Sequence, residues 1–305
     1  MLGIGVDVGG SHILSAAVDL NSGAIDESTR AHVHIDSKQT SEDLMQDWAR
    51  CINGTLAHCQ GQDVAGIGFA MPGPFNYKEG IAMFEGNDKY EHLYGVHIAS
   101  ALQPLIAENL KFRYQNDASC FAMGVDGYGV AKKSKKSISI TLGTGFGAAF
   151  IDDGVPIVTR EDVPEDGCFW HLPFKEGIAD DYFSTRWFRQ AYQTTFGKEV
   201  PGVKEIAVEV AGNETAQQLF DQFGENLAGF LAPWIAKFKP DMIVMGGNIS
   251  RAFDLFAPSL YRHLDTGNEI SFEVSELKED AALLGSARLL DDAFFSKLKD
   301  TLPTK

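Results

Sequence analysis

A strand–glycine turn–strand pattern occurs twice in this chain and restricts the fold more than any other feature. In the first copy, apolar residues 2–8 precede Gly9-Gly10-Ser11 and a second apolar run at 13–18. In the second copy, residues 138–142 precede a Gly-Thr-Gly-Phe-Gly turn at 143–147 and a further run at 148–151. Each copy predicts a β-hairpin. Two such hairpins in 305 residues, a length typical of about two domains, favour two lobes of like topology.

The rest of the chain alternates between strand and helix signals. Strands are predicted at 64–70, 112–115 and 242–245, and helices at 41–59, 118–127, 215–238 and 281–290. Ser41 is the expected N-cap of the first helix. Met71-Pro72-Gly73-Pro74 predicts a rigid turn after the 64–70 strand. We expect an N-terminal lobe of residues 1–117, completed by a C-terminal helix at about 290–305, and a C-terminal lobe of residues 118–289.

Composition removes several classes of function. The net charge of -16 repels nucleic acid, so a nucleic-acid partner is not expected. Because no apolar run reaches the roughly 18 residues that a membrane span needs, and residues 1–7 lack a basic segment, neither a membrane partner nor a signal peptide is expected. The four cysteines form no CxxC pair, which argues against a disulfide framework and for a cytoplasmic location.

Three predicted strands end in glycine turns that could bind phosphate, since glycine lets backbone N–H groups approach an anion closely. These turns are Gly9-Gly10-Ser11, Gly143-Thr144-Gly145 and Gly246-Gly247. Each of them alone is more often a plain tight turn, but three together, each after a strand, favour phosphate binding. A P-loop is excluded because Glu199 follows the Gly197-Lys198 pair, and a dinucleotide fingerprint fails because a strand, not a helix, follows Gly9.

Two acids stand at predicted strand ends. Asp7 could hold the Mg²⁺ of Mg-ATP through water, or it could cap an Asx-type turn. Asp117 follows a strand and opens a helix, which suits a base that takes a proton during phosphoryl transfer. Asn116 beside it can donate to and accept from sugar hydroxyls. The same Asn-Asp pair is also a good helix N-cap.

In these motifs the chain resembles the ROK family of sugar kinases, repressors and open reading frames over nearly its full length. The resemblance is carried by residues 5–11, the glycine–proline segment 66–74, Asn116-Asp117-Ala118, residues 142–147, Met245-Gly246-Gly247 and residues 282–287. It implies an α/β, two-lobed ribonuclease-H-like fold of the actin, hexokinase and Hsp70 ATPase type. In such a fold sugar and ATP meet in a central cleft between the lobes.

The resemblance also implies roles for individual residues. Asp117 would be the catalytic base, and Asn87, Asn116, His171 and Asp180 would bind the sugar. The family's glutamate is replaced here by Cys168, although Glu165 or Asp166 could serve instead. The family's zinc cysteines are missing from residues 172–178, so we expect no structural zinc. Packing of Phe169, Trp170 and Phe174 is expected to hold this loop.

These observations predict an ATP- and Mg²⁺-dependent hexose kinase acting on glucose or a related, possibly N-acetylated, sugar, at the 6-hydroxyl. A homodimer is a family-level expectation.

Two alternative functions stay open. One is a non-catalytic sugar-sensing regulator, although the first strand begins at Leu2 and leaves no room for a preceding helix-turn-helix. The other is an ATPase of the same superfamily that drives a partner protein.

Overall fold

The computed structural model describes residues 1–86, 89–264 and 270–304 and divides into two compact units. Unit 1 comprises Met1–Lys132 with Glu279–Lys305, and unit 2 comprises Lys133–Lys278. The strands are β1 (Leu2–Val8), β2 (His12–Asp19), β3 (Ile25–His34), β4 (Val64–Met71), β5 (Phe75–Asn76), β6 (Ile81–Ala82), β7 (Phe112–Asn116), β8 (Lys136–Leu142), β9 (Phe146–Asp152), β10 (Val155–Ile157), β11 (Pro173–Phe174), β12 (Gly177–Ile178), β13 (Met242–Gly246) and β14 (Ser271–Val274). The helices are α1 (Ser41–Leu56), α2 (Ile98–Leu102), α3 (Asp117–Tyr128), α4 (Ala179–Tyr182), α5 (Thr185–Phe196), α6 (Val203–Glu209), α7 (Glu214–Phe238), α8 (Phe253–His263), α9 (Asp280–Arg288) and α10 (Asp292–Leu298).

Unit 1 is built on a five-stranded sheet in the order β3-β2-β1-β4-β7. β1 and β2 form the predicted antiparallel hairpin around the Gly9–Gly10 turn, whereas β1, β4 and β7 run parallel. Parallel strands end at the same edge of a sheet, so the residues that follow β1 and β7 lie along one edge. This edge carries the acids identified from the sequence.

One face of this sheet is shaped by glycine. Gly5 on β1 and Gly68 on β4 are paired in register. A Cβ at Gly5 would lie 2.3 Å from the Leu283 carbonyl oxygen, and one at Gly68 would lie 1.9 Å from that of Ser286. The backbone of α9 therefore rests directly on the sheet. α3 packs against α9 with equal closeness, since a Cβ at Gly285 would lie 1.8 Å from the Cys120 carbonyl oxygen.

Unit 2 repeats the plan with a sheet ordered β10-β9-β8-β13-β14. β8 and β9 form the second predicted hairpin, and β13 pairs parallel with β8. Its core is strongly aromatic. Phe169 is fully buried, with its ring centroid 5.0 Å from that of Phe230 and 5.2 Å from that of Phe150.

The unit boundaries differ from the sequence-based division, which placed residues 118–289 in the second lobe. In the structure α3 and α9 belong to unit 1, because both pack on its sheet and against each other.

Two local expectations were wrong. Thr40, not Ser41, caps α1, because the Thr40 side chain accepts the Asp43 N–H at 3.2 Å. Trp170 is 52% exposed and does not join the packing around Phe169.

No helix in the described part of the chain is both long enough and apolar enough to cross a bilayer.

Candidate active site

The carboxyl-end edge of the unit 1 sheet brings Asp7 and Asp117 into one electrostatic neighbourhood. Asp7 lies on β1, opposite Ala70 of β4, and Ala70 lies opposite Gln115 of β7. Asp117 is the first residue of α3, directly after β7. Since neighbouring strands are about 4.8 Å apart, Asp7 and Gln115 lie roughly 10 Å apart across β4, and Asp117 follows Gln115 by two residues.

Asn116 and Asp117 occupy the N-terminus of α3. Asn116 is its N-cap, with Oδ1 accepting the Ser119 N–H at 3.2 Å, and its Nδ2 donates to the Tyr77 hydroxyl at 3.3 Å. Asp117 Oδ1 accepts the Ala118 N–H at 2.9 Å. The capping role that the sequence left open therefore falls to Asn116, and the Asp117 carboxylate remains exposed at the start of the helix.

Both acids have raised pKa values. Desolvation by the surrounding protein raises the pKa of Asp7 to about 7, and the carboxylates of Asp117 and Glu279 add to the rise. Asp117 is accessible to solvent, yet the protein packed around its carboxylate partly desolvates it and raises its pKa, against the opposing effects of its hydrogen bonds and of the Lys89 ammonium. The sequence analysis missed both Glu279 and Lys89. Glu279 is far from Asp7 and Asp117 along the chain, and Lys89 lies in a loop that contains no recognisable motif.

The buried Tyr90 side chain stabilises the Gly9–Gly10 turn. Gly9 N–H donates to the His12 carbonyl at 2.9 Å, which closes the hairpin. The Tyr90 hydroxyl donates to the Gly9 carbonyl. Ser11 and Gly10 are exposed, so this turn presents backbone and hydroxyl groups to solvent. Asn87, the less secure of the predicted sugar contacts, lies outside the described residues.

The glycine turns of unit 2 lie side by side at the ends of β8 and β13. Gly247 has a positive φ of 83°, and a Cβ there would lie 2.3 Å from the Leu142 carbonyl oxygen, so only glycine fits. Gly143 has no atom within 4 Å of a built Cβ, and Thr144 is exposed. The Gly143 carbonyl accepts from both the N–H and the hydroxyl of Thr185, at 2.8 and 2.9 Å. These bonds fix the turn while leaving its outer side open.

Asp180 braces this turn. Its Oδ1 accepts the Phe146 N–H at 2.7 Å, and its Oδ2 pairs with Arg186 at 2.8 Å. The family resemblance implies that Asp180 binds sugar, and that role stays a prediction; the contacts show that Asp180 orients the 143–147 turn.

His171 is partly buried, 3.6 Å from the Cys168 sulfur through its Nδ1. The same short segment reaches Asp180, since the Asp180 N–H donates to the Trp170 carbonyl at 3.0 Å. Burial raises the pKa of the Cys168 thiol, so it stays protonated near neutral pH.

The predicted site residues are divided between the two units. Asp7, Gly9, Gly10, Ser11, Asn116 and Asp117 lie in unit 1, and Gly143, Thr144, Gly145, His171, Asp180, Gly246 and Gly247 lie in unit 2.

The donor set fits a water-bound magnesium ion better than a zinc ion. Mg²⁺ prefers oxygen ligands and commonly uses one or two carboxylates together with substrate phosphates. Asp7 supplies such oxygen ligands, and a cation beside it would offset the repulsion it receives from Asp117 and Glu279. Among the residues that the structure describes, no group of three or more His, Cys, Asp or Glu side chains is placed to hold a metal ion by itself.

Two curated relatives are named as sugar kinases. The glucokinase of Thermotoga maritima is 24% identical over 323 aligned positions, which cover 95% of this chain and 97% of that protein. The N-acetyl-D-glucosamine kinase of Aliivibrio salmonicida is 27% identical over 220 positions, 65% of this chain and 71% of its own.

Solved structures share the fold. A ROK family glucokinase from Streptomyces griseus, in complex with glucose and AMPPNP, superimposes with a TM-score of 0.71 at 22% identity, covering 95% of this chain and 99% of its own. A ROK family transcriptional regulator, a homologue of the E. coli MLC protein, superimposes with a TM-score of 0.80 at 18% identity, covering 98% and 80%. The fold is therefore the α/β, two-lobed actin/hexokinase type.

The family model agrees with these likenesses. The model described as "ROK family" matches residues 3–293, which include both hairpins, the Asn116-Asp117 pair and the Gly246–Gly247 turn. This chain belongs to the ROK family.

Proposed function

We propose that this chain, a ROK family sugar kinase, transfers the γ-phosphoryl group of ATP to a hexose, at the 6-hydroxyl, with Asp117 as general base. One observation carries the proposal: an exposed carboxylate stands at the N-terminus of α3, on the same sheet edge as Asp7 and the Gly9–Gly10 turn. The names of the relatives, and the glucose and AMPPNP bound to one structural neighbour, support the same reaction class.

The chemistry asks little of the protein beyond positioning and one proton transfer. The sugar hydroxyl oxygen attacks the γ-phosphorus while the bond between that phosphorus and the β–γ bridging oxygen breaks, leaving ADP. The hydroxyl proton passes to Asp117. A base whose pKa lies nearer the working pH transfers protons more effectively, and desolvation shifts the pKa of Asp117 in that direction. The bond from Ala118 N–H holds the carboxylate in place.

The remaining groups bind and orient the substrates. Each unit contributes glycine turns whose backbone N–H groups suit phosphate oxygens: Gly9-Gly10-Ser11 in unit 1, and Gly143-Thr144-Gly145 with Gly246-Gly247 in unit 2. Asp7 would hold Mg²⁺ through water, and that ion neutralises phosphate charge when bound. Asn87, Asn116, His171 and Asp180 are the proposed sugar contacts.

The acceptor is proposed as glucose or an N-acetylated relative, because the relatives are named for both sugars. A coupled assay for ADP over a panel of glucose, mannose, N-acetylglucosamine and N-acetylmannosamine identifies it. The position of the phosphate on the product follows from ³¹P–¹H NMR correlation. Formation of a 6-phosphate supports the proposal, and ATP hydrolysis that ignores every sugar contradicts it.

Asp117→Asn tests the base directly. We expect kcat to fall roughly 10²–10⁴-fold, the usual contribution of a positioned general base. The amide retains an oxygen for the Ala118 N–H, so the circular dichroism spectrum and the melting temperature should stay close to wild type. Asp254→Asn, an exposed acid in the first turn of α8, is the matched control and should be fully active. Wild-type turnover in the Asp117 variant would remove the mechanism.

A sugar-sensing regulator is the second candidate, favoured by the regulator among the structural neighbours. Such a protein would bind a sugar without turning over ATP. Calorimetric sugar binding combined with absent ADP release would select this alternative.

A further inference from the structure

Lys89 lies against the glycine turn of unit 1, although no motif singles it out. A Cβ built on Gly10 would lie 3.1 Å from the Lys89 Nζ and 3.3 Å from its Cε. The end of the lysine side chain therefore contacts the turn from the side that the missing Gly10 side chain leaves free. Lys89 is exposed, so its ammonium faces solvent at the same point.

The neighbouring residue anchors this arrangement. The Tyr90 hydroxyl donates to the Gly9 carbonyl, and the Tyr90 N–H donates to the Ser37 carbonyl at 2.8 Å. The Tyr90 ring is buried against Trp48 and Phe84, with ring centroids 5.9 and 5.4 Å apart. Burial, with a smaller effect from Asp7, raises the pKa of Tyr90, so the hydroxyl keeps the proton it donates. The backbone at Lys89 is thus tied to the turn.

The charge of Lys89 acts on the proposed reaction centre as well as on the turn. Its ammonium lowers the pKa of Asp117, while the carboxylates of Asp117 and Glu279 both act on Asp7. The charges of three acids thus meet in this part of unit 1, within a chain of net charge -16. A phosphate entering this neighbourhood requires a positive charge close by, and Lys89 is positioned to supply it.

We propose that the Lys89 ammonium binds the phosphoryl group that is transferred, on the open side of the Gly9–Gly10 turn and facing Asp117. This inference rests on the proposed kinase function. A lysine ammonium is a compact charge with three donors, able to follow a phosphoryl group as it moves from donor to acceptor. A side chain at position 10 would press on the tip of the lysine and shift its ammonium by a few tenths of an ångström.

Lys89→Met tests the contact, with Lys299→Met, an exposed lysine at the end of α10, as the matched control. Calorimetry with ATP and with AMP separates the terminal phosphates from the nucleoside. We expect Lys89→Met to weaken ATP binding on the order of 10-fold to 100-fold, the scale of a charge-assisted hydrogen bond, and to leave AMP binding unchanged. Lys89→Arg, which keeps the charge, should recover part of the loss.

The pH dependence of kcat/KM provides a readout that a purely structural lysine would not change. Removing the ammonium takes away an attraction that favours ionised Asp117, so the acid limb of Lys89→Met should move to higher pH. Gly10→Ala, which shifts the lysine tip but leaves its charge, should lower kcat in the same assay.

The two proposals fail in distinguishable ways. A wild-type protein that phosphorylates no sugar ends the kinase proposal, yet ATP binding to Lys89→Met still decides the role of the lysine. An active wild type whose Lys89→Met variant shows unchanged ATP binding, turnover and acid limb overturns the Lys89 inference and leaves Asp117 untouched. Equal losses for ATP and AMP would also overturn it, because they would indicate a general effect on the site.

Discussion

At the scale of single residues, the unit 1 site concentrates negative charge that the fold does not need. Desolvation raises the pKa of Asp7 and of Asp117, and the carboxylates of Asp117 and Glu279 raise that of Asp7 further. Such an arrangement costs stability, and it suits a site that binds cations and moves a proton.

The raised pKa values predict the pH dependence of both activity and stability. Because the base must be ionised and the pKa of Asp117 is raised, the acid limb of kcat/KM should lie above the ordinary range of an aspartate. The folded state binds the Asp7 proton more tightly than the unfolded chain, so this residue's contribution to stability is lost as pH rises from about 4 to 7. Asp7→Asn should therefore raise the denaturation midpoint at pH 8 relative to wild type, with no difference near pH 3. An acid limb centred near pH 4, or stabilisation that does not vary with pH, would contradict this account.

At the scale of elements, glycines determine how closely α9 approaches its neighbours. Gly5 and Gly68 open a groove on the sheet for the backbone of α9, and Gly285 and Gly124 let α9 and α3 touch backbone to backbone. The sheet edge that carries Asp7 and the helix that begins at Asp117 are thereby joined through one short helix. Packing in α9 is consequently coupled to the geometry of the site.

Gly285→Ala should reveal this coupling. Alanine normally stabilises a helix by up to about 1 kcal/mol relative to glycine. Here its Cβ would lie 1.8 Å from the Cys120 carbonyl oxygen, so we expect a loss of about 3 kcal/mol in the free energy of unfolding, together with reduced kcat. Gly229→Ala is the matched control, since this exposed glycine of α7 has nothing within 4 Å and alanine there should be neutral or stabilising. Urea denaturation of both variants measures the difference, and equal midpoints would refute the close-packing argument.

At the scale of the whole molecule, each unit has its own sheet and core, and unit 2 closes its 168–183 segment by aromatic packing. Phe169 stacks within a cluster that also contains Phe146, Phe150, Phe230 and Trp234. Phe174 joins the same cluster through Phe183 and Phe230. These contacts offer a way to order a loop from which the family's zinc cysteines are missing.

The protein should therefore be stable without zinc. A zinc-selective chelator should leave the melting temperature unchanged, and elemental analysis should find far less than one zinc per chain. Phe169→Ala, by contrast, should cost about 3–5 kcal/mol, the usual effect of deleting a buried phenylalanine. A melting temperature that falls on chelation would show that a structural metal had been overlooked.

Short-range patterns in the sequence were sufficient to predict much of the framework. Both hairpins, the buried face of α1 at Leu44, Trp48 and Ile52, and the strand end before Asp117 follow from periodicity and turn chemistry, which depend on neighbouring residues. The family motifs added the candidate base and the phosphate turns. Gly3 and Gly5 also lie inside β1, but short-range patterns in the sequence do not explain why glycine occurs there.

Only the tertiary structure supplied that reason and completed the site. The glycine groove, the assignment of α3 and α9 to unit 1, the anchoring of the Gly9–Gly10 turn by Tyr90 and the approach of Lys89 all involve residues far apart in the chain. The bracing of the 143–147 turn by Asp180 is of the same kind. Periodicity indicates which side of a helix or strand is buried. Which residues pack against that side, and which charges act on it, depends on how segments distant in the chain come together in the fold.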